Sequence, residues 1–301
     1  MSRLLFLCLL LGTLLPWAAP AQTVYETEPD VTADMVRTRL QARAAFLYDA
    51  TTGQALYERN IDEPLPPAST TKLITAILVM ERRGLTGSLT VDPEDTWVEP
   101  SHVPLVPGET VRVSELMHSL LIASDNDSAL ALARYTAGSV PAFVDLMNQR
   151  AVELGCLHTH FVNPNGLPAR GLETTARDLL KIFQKALTFP VLEQIMQTKT
   201  YWLTTAHGTQ LLKNHNKLLG KYPGMGPAKT GWTVASRHTY AAASTRDGHQ
   251  LELIILNSPD KWKDATLLFN YGFSHLPPLP APPVLKPATP ATMAPAQASI
   301  R

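Results

Sequence analysis

The sequence predicts a mixed α/β (α+β) fold, in which an antiparallel sheet is flanked by helices and a helical subdomain is inserted. Three observations predict it. Short apolar strand patterns open the body of the chain, helical patterns fill its middle, and strand patterns followed by one helical pattern close it. Because sheets and helices must bury their apolar faces against one another, this order favours helices packed on a sheet.

The body opens with a predicted hairpin. Residues 44–48 and 55–58 are short strand-like runs, and residues 49–53 between them are typical of a turn. A proline-rich approach then leads to Ser69, after which apolar residues recur at helical spacing until Gly84. A helix is therefore predicted to begin near Ser69.

The middle of the chain is predicted to be helical. Apolar residues recur there at helical spacing in four segments, each bounded by capping residues, proline or glycine. The predicted segments are 115–123 with Ser114 as its cap, a second from a break at 124–126 to about Tyr135, a third from Pro141 to Gly155, and a fourth capped by Thr174 or Thr175.

The last third returns to strands. Residues 229–234, 238–244 and 251–257 are apolar or β-branched runs, and Asp247-Gly248 between the last two is a hairpin signal. A final helix is predicted over about 260–271.

The two ends are predicted to lie outside the folded body. Residues 1–21 resemble a signal peptide, because Arg3 precedes a short apolar run and small residues allow cleavage after Ala21. That run is shorter than the ~20 residues of a spanning helix. Residues 22–35 are interpreted as a lead, 36–276 as the catalytic body, and 277–301 as a disordered Pro/Ala-rich tail without the pattern of a membrane anchor.

The composition of the chain and the motifs that it lacks exclude several classes of function. The formal net charge is zero and no Lys/Arg block occurs, so nucleic acid is not a predicted partner. Cleavage of the signal would leave Cys156 as the remaining cysteine, which we interpret as a buried structural thiol. No H-E-x-x-H occurs, and the histidines at 118, 158 and 160 are interpreted as surface or packing residues, so neither a metal nor a cofactor is predicted.

The segment Ser69 to Lys72 carries a candidate nucleophile. Side chains three apart on a helix share a face, so the Lys72 amine can reach the Ser69 hydroxyl and act as its base if the amine is neutral. The same S-x-x-K spacing occurs at Ser258 to Lys261, where we expect Ser258 to cap the final helix and Lys261 to be exposed. The motif alone therefore does not identify the site.

Two further motifs favour Ser69. Ser124 to Asn126 reads S-x-N at a predicted helix break, where a polar helix junction is the alternative interpretation. Ser124 could relay a proton, and Asn126 could hold a substrate amide. Lys229 to Gly231 reads K-T-G on a predicted strand, where Lys229 and Thr230 could bind a carboxylate and Gly231 would admit a substrate backbone. A lysine near Lys72 would also lower the pKa of Lys72.

With these three motifs in this order, the chain resembles the low-molecular-mass penicillin-binding proteins, specifically the serine D-alanyl-D-alanine carboxypeptidase family. The resemblance covers roughly residues 36–276 and includes segments 47–53, 161–167, 214–219 and 271–273. It implies a penicillin-binding/β-lactamase-like fold. A β-lactamase would also need a general-base Glu, and no Glu-x-x-Asn occurs.

The resemblance implies a mechanism and a set of partners. Ser69 would attack the penultimate D-Ala carbonyl of a peptidoglycan stem peptide, Lys72 would take its proton, and water would hydrolyse the acyl-enzyme. The implied oxyanion hole is formed by the backbone N–H groups of Ser69 and Trp232, and β-lactams would acylate Ser69. Many relatives grip the substrate carboxylate with an Arg shortly before Tyr-Gly-Phe. Residues 261–264 contain no Arg, so Arg237 is the predicted substitute.

Other functions stay open from sequence alone. A D,D-endopeptidase that cuts cross-links would use the same chemistry, and a non-catalytic sensor of wall peptides would keep the fold. A Ser-His-Asp triad is disfavoured because no G-x-S-x-G occurs, although nine histidines are present. The expected location is periplasmic or extracytoplasmic, as a soluble protein.

Overall fold

The structure, a computed structural model, describes residues 30–98, 103, 105–277 and 279. The predicted signal peptide and nearly all of the predicted tail therefore lie outside the described residues. The strands are β1 (Ala44–Asp49), β2 (Gln54–Arg59), β3 (Ser88–Thr90), β4 (Thr110–Arg112), β5 (Thr200–Thr205), β6 (Gly208–Lys213), β7 (Met225–Thr233), β8 (Arg237–Arg246) and β9 (His249–Ser258). The helices are α1 (Ala33–Arg39), α2 (Lys72–Arg82), α3 (Val113–His118), α4 (Asn126–Ala137), α5 (Val140–Glu153), α6 (Ala176–Leu187), α7 (Pro190–Gln197) and α8 (Lys261–Ser274).

An antiparallel sheet of five strands organises the molecule, in the order β2-β1-β9-β8-β7. The β8–β9 hairpin turns at Asp247-Gly248 as the sequence predicts. Strand β7 lies at one edge, and its pairing with β8 is irregular between Met225 and Ala228. The predicted fold class, an antiparallel sheet flanked by helices with an inserted helical region, is confirmed.

Side chains on the two faces of the sheet enter two separate cores. Along β9, Ile254 and Leu256 pack into the core shared with α2, α4 and α6. The alternate residues Leu253 and Ile255 pack into the core shared with α1 and α8. Since successive side chains of a strand point to opposite faces, one strand supplies both cores. Helix α2 lies deep within the first core, and its residues from Lys72 to Val79 are buried.

Several predicted helices are confirmed, with two corrections at their boundaries. Helices α4, α5 and α6 lie in the predicted segments, and Thr175 is the cap of α6. Ser114 is not a cap, because α3 already begins at Val113 and continues as a π-helical turn over Ser119–Ala123. Helix α1 begins at Ala33 inside the predicted lead, so the folded body starts before residue 36.

The second S-x-x-K segment also differs from its prediction. Asp260 caps α8, and its carboxylate accepts hydrogen bonds from the backbone N–H groups of Trp262 and Lys263. The Ser258 hydroxyl instead donates to the Asp264 carboxylate over 2.6 Å. Lys261, predicted to be exposed, is only 6% exposed.

Cys156 is a free, buried thiol. Cys156 is buried with its Sγ 3.4 Å from the Asp178 carbonyl oxygen, and burial raises the pKa of this thiol to about 12. It is the packed thiol that the sequence predicts. Within the described ranges, no helix combines the length and apolar character that crossing a bilayer requires.

Candidate active site

Ser69 and Lys72 meet where a short turn runs into the central helix. Ala68–Thr71 forms a 3-10 turn that α2 continues, which places the two side chains on one side of the helix start. The Lys72 Nζ lies 3.0 Å from the Ser69 Oγ. Ser69 is partly exposed, whereas Lys72 is fully buried. A substrate can therefore reach the hydroxyl while the amine stays shielded from water.

The surroundings of Lys72 suit a neutral amine. Its Nζ donates to Asn126 Oδ1 and to the Asn165 carbonyl oxygen, each over 2.8 Å. A neutral amine has two N–H bonds and one lone pair, so these two acceptors leave the lone pair for the Ser69 hydroxyl. Burial lowers the pKa of Lys72 to about 7, although the nearby Asp125 carboxylate opposes the shift. A substantial fraction of the amine is thus neutral near pH 7.

The three residues of the S-x-N segment make three different contacts. Ser124 has a left-handed backbone, with φ of 60°, directly after the π-helical turn, and its Oγ accepts a 2.8 Å hydrogen bond from Lys229 Nζ. Asp125 caps α4 by accepting from the Ser128 N–H over 2.9 Å. Asn126 contacts Lys72. The segment is therefore both the helix junction of the alternative interpretation and part of the site.

Strand β7 brings the K-T-G segment against the nucleophile. A Cβ added to Gly231 would lie 2.8 Å from the Ser69 backbone nitrogen and 2.3 Å from Thr239 Oγ1. Only glycine therefore allows β7 to approach the start of α2 this closely. Lys229 is buried on the same strand, and Trp232 is 59% exposed.

The two buried lysines influence each other. Burial lowers the pKa of Lys229 well below its usual range, and the positive charges of Lys72 and Lys261 lower it further. The sequence predicted repulsion by Lys229 as a cause of the low pKa of Lys72, for which burial is the main cause. Since repulsion between two amines is mutual, the pair resists carrying two charges at once.

The loop of residues 164–166, which the motifs did not identify, packs against the turn that carries Ser69. Asn165, whose carbonyl accepts from Lys72, is followed by Gly166 with φ of +84°. A Cβ on Gly166 would lie 1.9 Å from the Ala68 carbonyl oxygen, directly beside Ser69. The Thr75 hydroxyl of α2 also donates to the Pro164 carbonyl oxygen over 2.7 Å. The sequence pointed to this loop only through the family resemblance, which included segment 161–167 but assigned no role to it.

These groups open into one cleft of about 1080 Å³. Ser69, Ser124 and Asn126 lie on one side of it, Thr230 to Val234 on another, and the β6 residues Gln210 to Lys213 form a further wall. Its size slightly exceeds that of most small-molecule pockets, which span roughly 300–1,000 Å³. The cleft is therefore large enough for an extended peptide.

Lys261 is a site residue that sequence reasoning missed. It lines the cleft, and its Nζ lies 2.9 Å from His238 Nδ1. Burial and the positive charge of the nearby Lys217 together lower the pKa of Lys261 to about 8, although the Asp260 carboxylate opposes the shift. A buried amine that faces a cleft in this way can bind an anion.

Arg237 is not brought together with the other predicted residues. It is exposed at the start of β8 with φ of 51°, and it is not among the described residues that line the cleft. Its neighbour His238 points there instead.

Comparison with known proteins identifies the family. The sequence profile of the D-alanyl-D-alanine carboxypeptidases matches residues 30–260 of this chain. The chain belongs to the D-alanyl-D-alanine carboxypeptidase family. The resemblance drawn from the motifs is confirmed, and with it the assignment of the chain as a hydrolase of this family.

Individual relatives are similar to this chain over most of its length. D-alanyl-D-alanine carboxypeptidase DacB2 of Mycobacterium tuberculosis is 34% identical over 241 residues, which cover 77% of this chain and 82% of the relative. A crystal structure of a penicillin-binding protein homolog from the same organism has a TM-score of 0.75 and 33% identity, and covers 79% and 93% of the two chains. A D-alanyl-D-alanine endopeptidase of Escherichia coli is 28% identical, with 80% and 78% coverage.

Proposed function

We propose that this chain hydrolyses the terminal D-Ala-D-Ala bond of peptidoglycan stem peptides through an acyl-enzyme on Ser69. The observation that carries the proposal is the 3.0 Å contact between the fully buried Lys72 amine and the partly exposed Ser69 hydroxyl. Membership of the carboxypeptidase family supports the choice of reaction.

Acylation begins with proton transfer. The lone pair of neutral Lys72 takes the Ser69 proton as Oγ attacks the carbonyl carbon of the penultimate D-Ala, which forms a tetrahedral oxyanion. The backbone N–H groups of Ser69 and Trp232 are proposed to stabilise that oxyanion, and the tight approach of Gly231 to Ser69 supports this pairing. Collapse expels D-Ala and leaves an ester on Ser69.

The leaving amine needs a proton, and Ser124 can pass it on. The Ser124 Oγ accepts from Lys229, so its own hydroxyl proton is free to be donated to the amine of the departing D-Ala. The serine then regains a proton from the protonated Lys72. Water subsequently attacks the ester, with Lys72 again as the base, and releases the shortened peptide.

Polar and basic side chains of the cleft are proposed to hold the substrate carboxylate. The Lys229 amine donates to Ser124 at the site. Thr230 lines the cleft, and Lys261 adds an amine there. Asn126 would hold the substrate amide. We assign the carboxylate role to Lys261 in place of Arg237, because Lys261 lines the cleft.

Turnover of a synthetic peptide ending in D-Ala-D-Ala tests the proposal. Free D-Ala should be released by the wild-type chain and by Ser274→Ala, which alters an exposed serine at the end of α8. Ser69→Ala should release none and should not be labelled by a fluorescent penicillin. Labelling of wild type without turnover would instead indicate the non-catalytic sensor, and labelling of Ser69→Ala would contradict the nucleophile assignment.

A D,D-endopeptidase is the second candidate, favoured by the size of the cleft and by the Escherichia coli relative. Cross-linked peptidoglycan separates the two activities. A carboxypeptidase releases free D-Ala from pentapeptide stems, whereas an endopeptidase releases monomeric muropeptides from dimers.

Because peptidoglycan lies outside the cytoplasm, we also propose that the chain is exported, with residues 1–21 as its signal. β-Lactams are proposed as covalent inhibitors at Ser69.

A further inference from the structure

Thr239 is a buried hydroxyl residue of β8 that the proposed mechanism does not use. It lies directly opposite Gly231 in the pairing of β8 with β7, and its side chain is fully buried. It is not among the described residues that line the cleft. Its hydroxyl donates a 2.8 Å hydrogen bond to the carbonyl oxygen of Pro67, which immediately precedes the turn that carries Ser69. This bond therefore ties the turn to the central sheet.

The backbone at this point has a conformation that its surroundings must hold. Ala68 has a φ of 49°, in the left-handed region that residues other than glycine rarely adopt. The Pro67 carbonyl oxygen just before it also accepts a 2.6 Å hydrogen bond from the Thr70 hydroxyl. The bond from Thr70 closes the turn on itself, whereas the bond from Thr239 attaches the turn to β8.

The Thr239 hydroxyl also lies next to the place where β7 meets the nucleophile. A Cβ added to Gly231 would lie 2.3 Å from Thr239 Oγ1 and 2.8 Å from the Ser69 backbone nitrogen. The hydroxyl and the Ser69 N–H group therefore converge on the same point of β7. The next residue of that strand is Trp232, which carries the second proposed oxyanion donor.

The two proposed oxyanion donors belong to different elements. Ser69 is the second residue of the 3-10 turn, and the first N–H groups of a helical turn have no acceptor within it. Trp232 lies on β7. An oxyanion hole works when both donors lie about 2.7–3.1 Å from the oxyanion, so their separation depends on how the turn is held against the sheet.

We propose that Thr239 is a positioning residue of the oxyanion hole. By holding the Pro67 carbonyl oxygen, its hydroxyl fixes the Ser69 N–H relative to the Trp232 N–H, although it does not contact the substrate itself. The inference rests on the proposed function and adds to it a residue outside the cleft.

Thr239→Val and Thr239→Ser test the role of the hydroxyl. Valine has nearly the same shape as threonine but no donor, whereas serine keeps the donor. With a peptide ending in D-Ala-D-Ala, Thr239→Val should lower kcat about 10- to 100-fold, somewhat less than the 10²–10³-fold loss on removing an oxyanion donor outright. KM should change less than about twofold, because the hole acts on the transition state. Thr239→Ser should retain kcat within about threefold of wild type.

Two further measurements distinguish an oxyanion effect from a structural one. A peptide boronic acid forms a tetrahedral adduct with Ser69 that resembles the transition state, so its affinity for Thr239→Val should fall by the same factor as kcat/KM. The midpoint of the pH profile of acylation should stay where it is in wild type, because the contacts of Lys72 with Asn126 and Asn165 are untouched.

Thr136→Val is the matched control. The Thr136 hydroxyl is also buried and donates to a backbone carbonyl, that of Leu132 over 2.7 Å, near the end of α4. This variant should lower Tm and leave kcat unchanged. If Thr239→Val does not fold, Thr239→Ala replaces it, since it differs from Thr239→Ser by one oxygen atom.

A wild-type kcat in Thr239→Val, or an equal loss in Thr239→Ser, would overturn the inference. An unchanged boronate affinity or a displaced pH midpoint would overturn it as well, since either would show that Thr239 acts elsewhere than on the oxyanion hole. Wild-type protein that neither turns over the peptide nor is labelled by penicillin would instead contradict the proposed function.

Discussion

Lys72 is the side chain whose protonation state should set the rate of acylation. Its pKa is lowered to about 7, so the neutral base is lost as the pH falls below that value. We expect the rate of acylation by a β-lactam to rise about tenfold per unit below pH 7 and to level off above it. Stopped-flow measurement between pH 5 and 9 checks this.

Lys72→Arg provides the matched control for charge. Arginine stays protonated throughout this range, so the variant keeps a cation but has no lone pair for the Ser69 proton. Acylation should fall by about 10²–10⁴-fold at every pH. An arginine variant with near-normal acylation would show that Lys72 is not the base.

Lys261 should cause kcat/KM to fall at high pH. Its pKa of about 8 means that the amine loses its charge above that pH, and with it the attraction for a carboxylate. For a peptide with a free C-terminus, kcat/KM should therefore decline above about pH 8. Lys261→Gln should lower kcat/KM at pH 7 and abolish this decline.

A peptide with an amidated C-terminus checks the same assignment from the substrate side, because it has no carboxylate for Lys261 to bind. Its kcat/KM should change little on Lys261→Gln. A similar loss for both peptides would indicate that Lys261 acts only by supporting the fold.

Gly166→Ala should displace Ser69 indirectly, through the backbone of the neighbouring Ala68. The added Cβ would meet the Ala68 carbonyl oxygen at 1.9 Å, so either the loop or the turn that carries Ser69 must move. We expect slower penicillin labelling and a lower Tm. Gly84→Ala is the matched control, because Gly84 also has a positive φ but nothing lies within 4 Å of its added Cβ. Gly84→Ala should lower Tm slightly and leave labelling unchanged.

The three motifs predicted the residues that meet around Ser69, because each bears a reactive group at a spacing that helices and strands fix. Lys261 was not predicted to be a site residue. The S-x-x-K spacing of residues 258–261 does not show that the Lys261 side chain of α8 lies in the cleft. Asn165 contributes its backbone carbonyl, which the identity of a side chain cannot reveal.

Among the secondary structure elements, the hairpin β5–β6 was not predicted, although it forms a wall of the cleft. Its two strands lack a strong turn dipeptide, and much of its face is exposed. A contact distant in sequence holds it instead. The Glu115 carboxylate of α3 accepts from the Tyr201 hydroxyl over 3.0 Å and from the Thr204 N–H over 3.1 Å.

Glu115→Gln should therefore loosen this hairpin. The replacement keeps one acceptor and loses the other, so we expect unfolding free energy to fall by about 1–3 kcal/mol. KM for the peptide should rise more than kcat falls, because the hairpin lines the cleft but does not carry the reacting groups. Denaturant unfolding together with steady-state kinetics checks both effects.

Tyr201→Phe should produce a smaller change of the same kind, since it removes one donor and leaves the Thr204 contact. A Glu115→Gln variant with unchanged KM would show that the hairpin does not shape substrate binding.

The order of the strands in the sheet could not be predicted from the sequence. Ala44 of β1 pairs with Leu256 of β9, more than 200 residues later, and β9 separates β1 from β8. Local patterns identify each strand but carry no information on which distant partner it joins. Hairpins are the exception, because a short turn fixes the partner.

A buried ion pair links distant parts of the fold and should make stability depend on pH. His249 Nδ1 lies 2.7 Å from Asp49 Oδ2, and Nε2 lies 3.0 Å from the Pro277 carbonyl oxygen. Burial alone would lower the pKa of His249, but these two contacts raise it above 6.5. Burial would raise the pKa of Asp49, but hydrogen bonds from Thr52 and His249 hold it below 3.8.

These shifts define a pH window. The contribution of His249 is fully present below pH 6.5 and is lost as the pH rises through its raised folded pKa; that of Asp49 is lost as the pH falls below 3.8. His249→Gln should therefore destabilise the protein by about 1–3 kcal/mol near pH 6 and by less near pH 9.

Unfolding free energies measured at both pH values check this window, and the exposed His275→Gln is the control that should show no such trend. An equal loss for His249→Gln at pH 6 and pH 9 would show that the ion pair is not its source.

The position of β7 at the edge of the sheet has a consequence for self-association. An edge strand with free backbone groups can recruit a strand from another copy, which leads to aggregation. The irregular pairing between Met225 and Ala228 contains Pro227, which has no N–H to offer a foreign strand. The stretch from Ala228 to Thr233 pairs regularly with β8, and residues 230–233 of it line the cleft. We therefore expect this edge to pair with a short peptide rather than with a strand of a second copy.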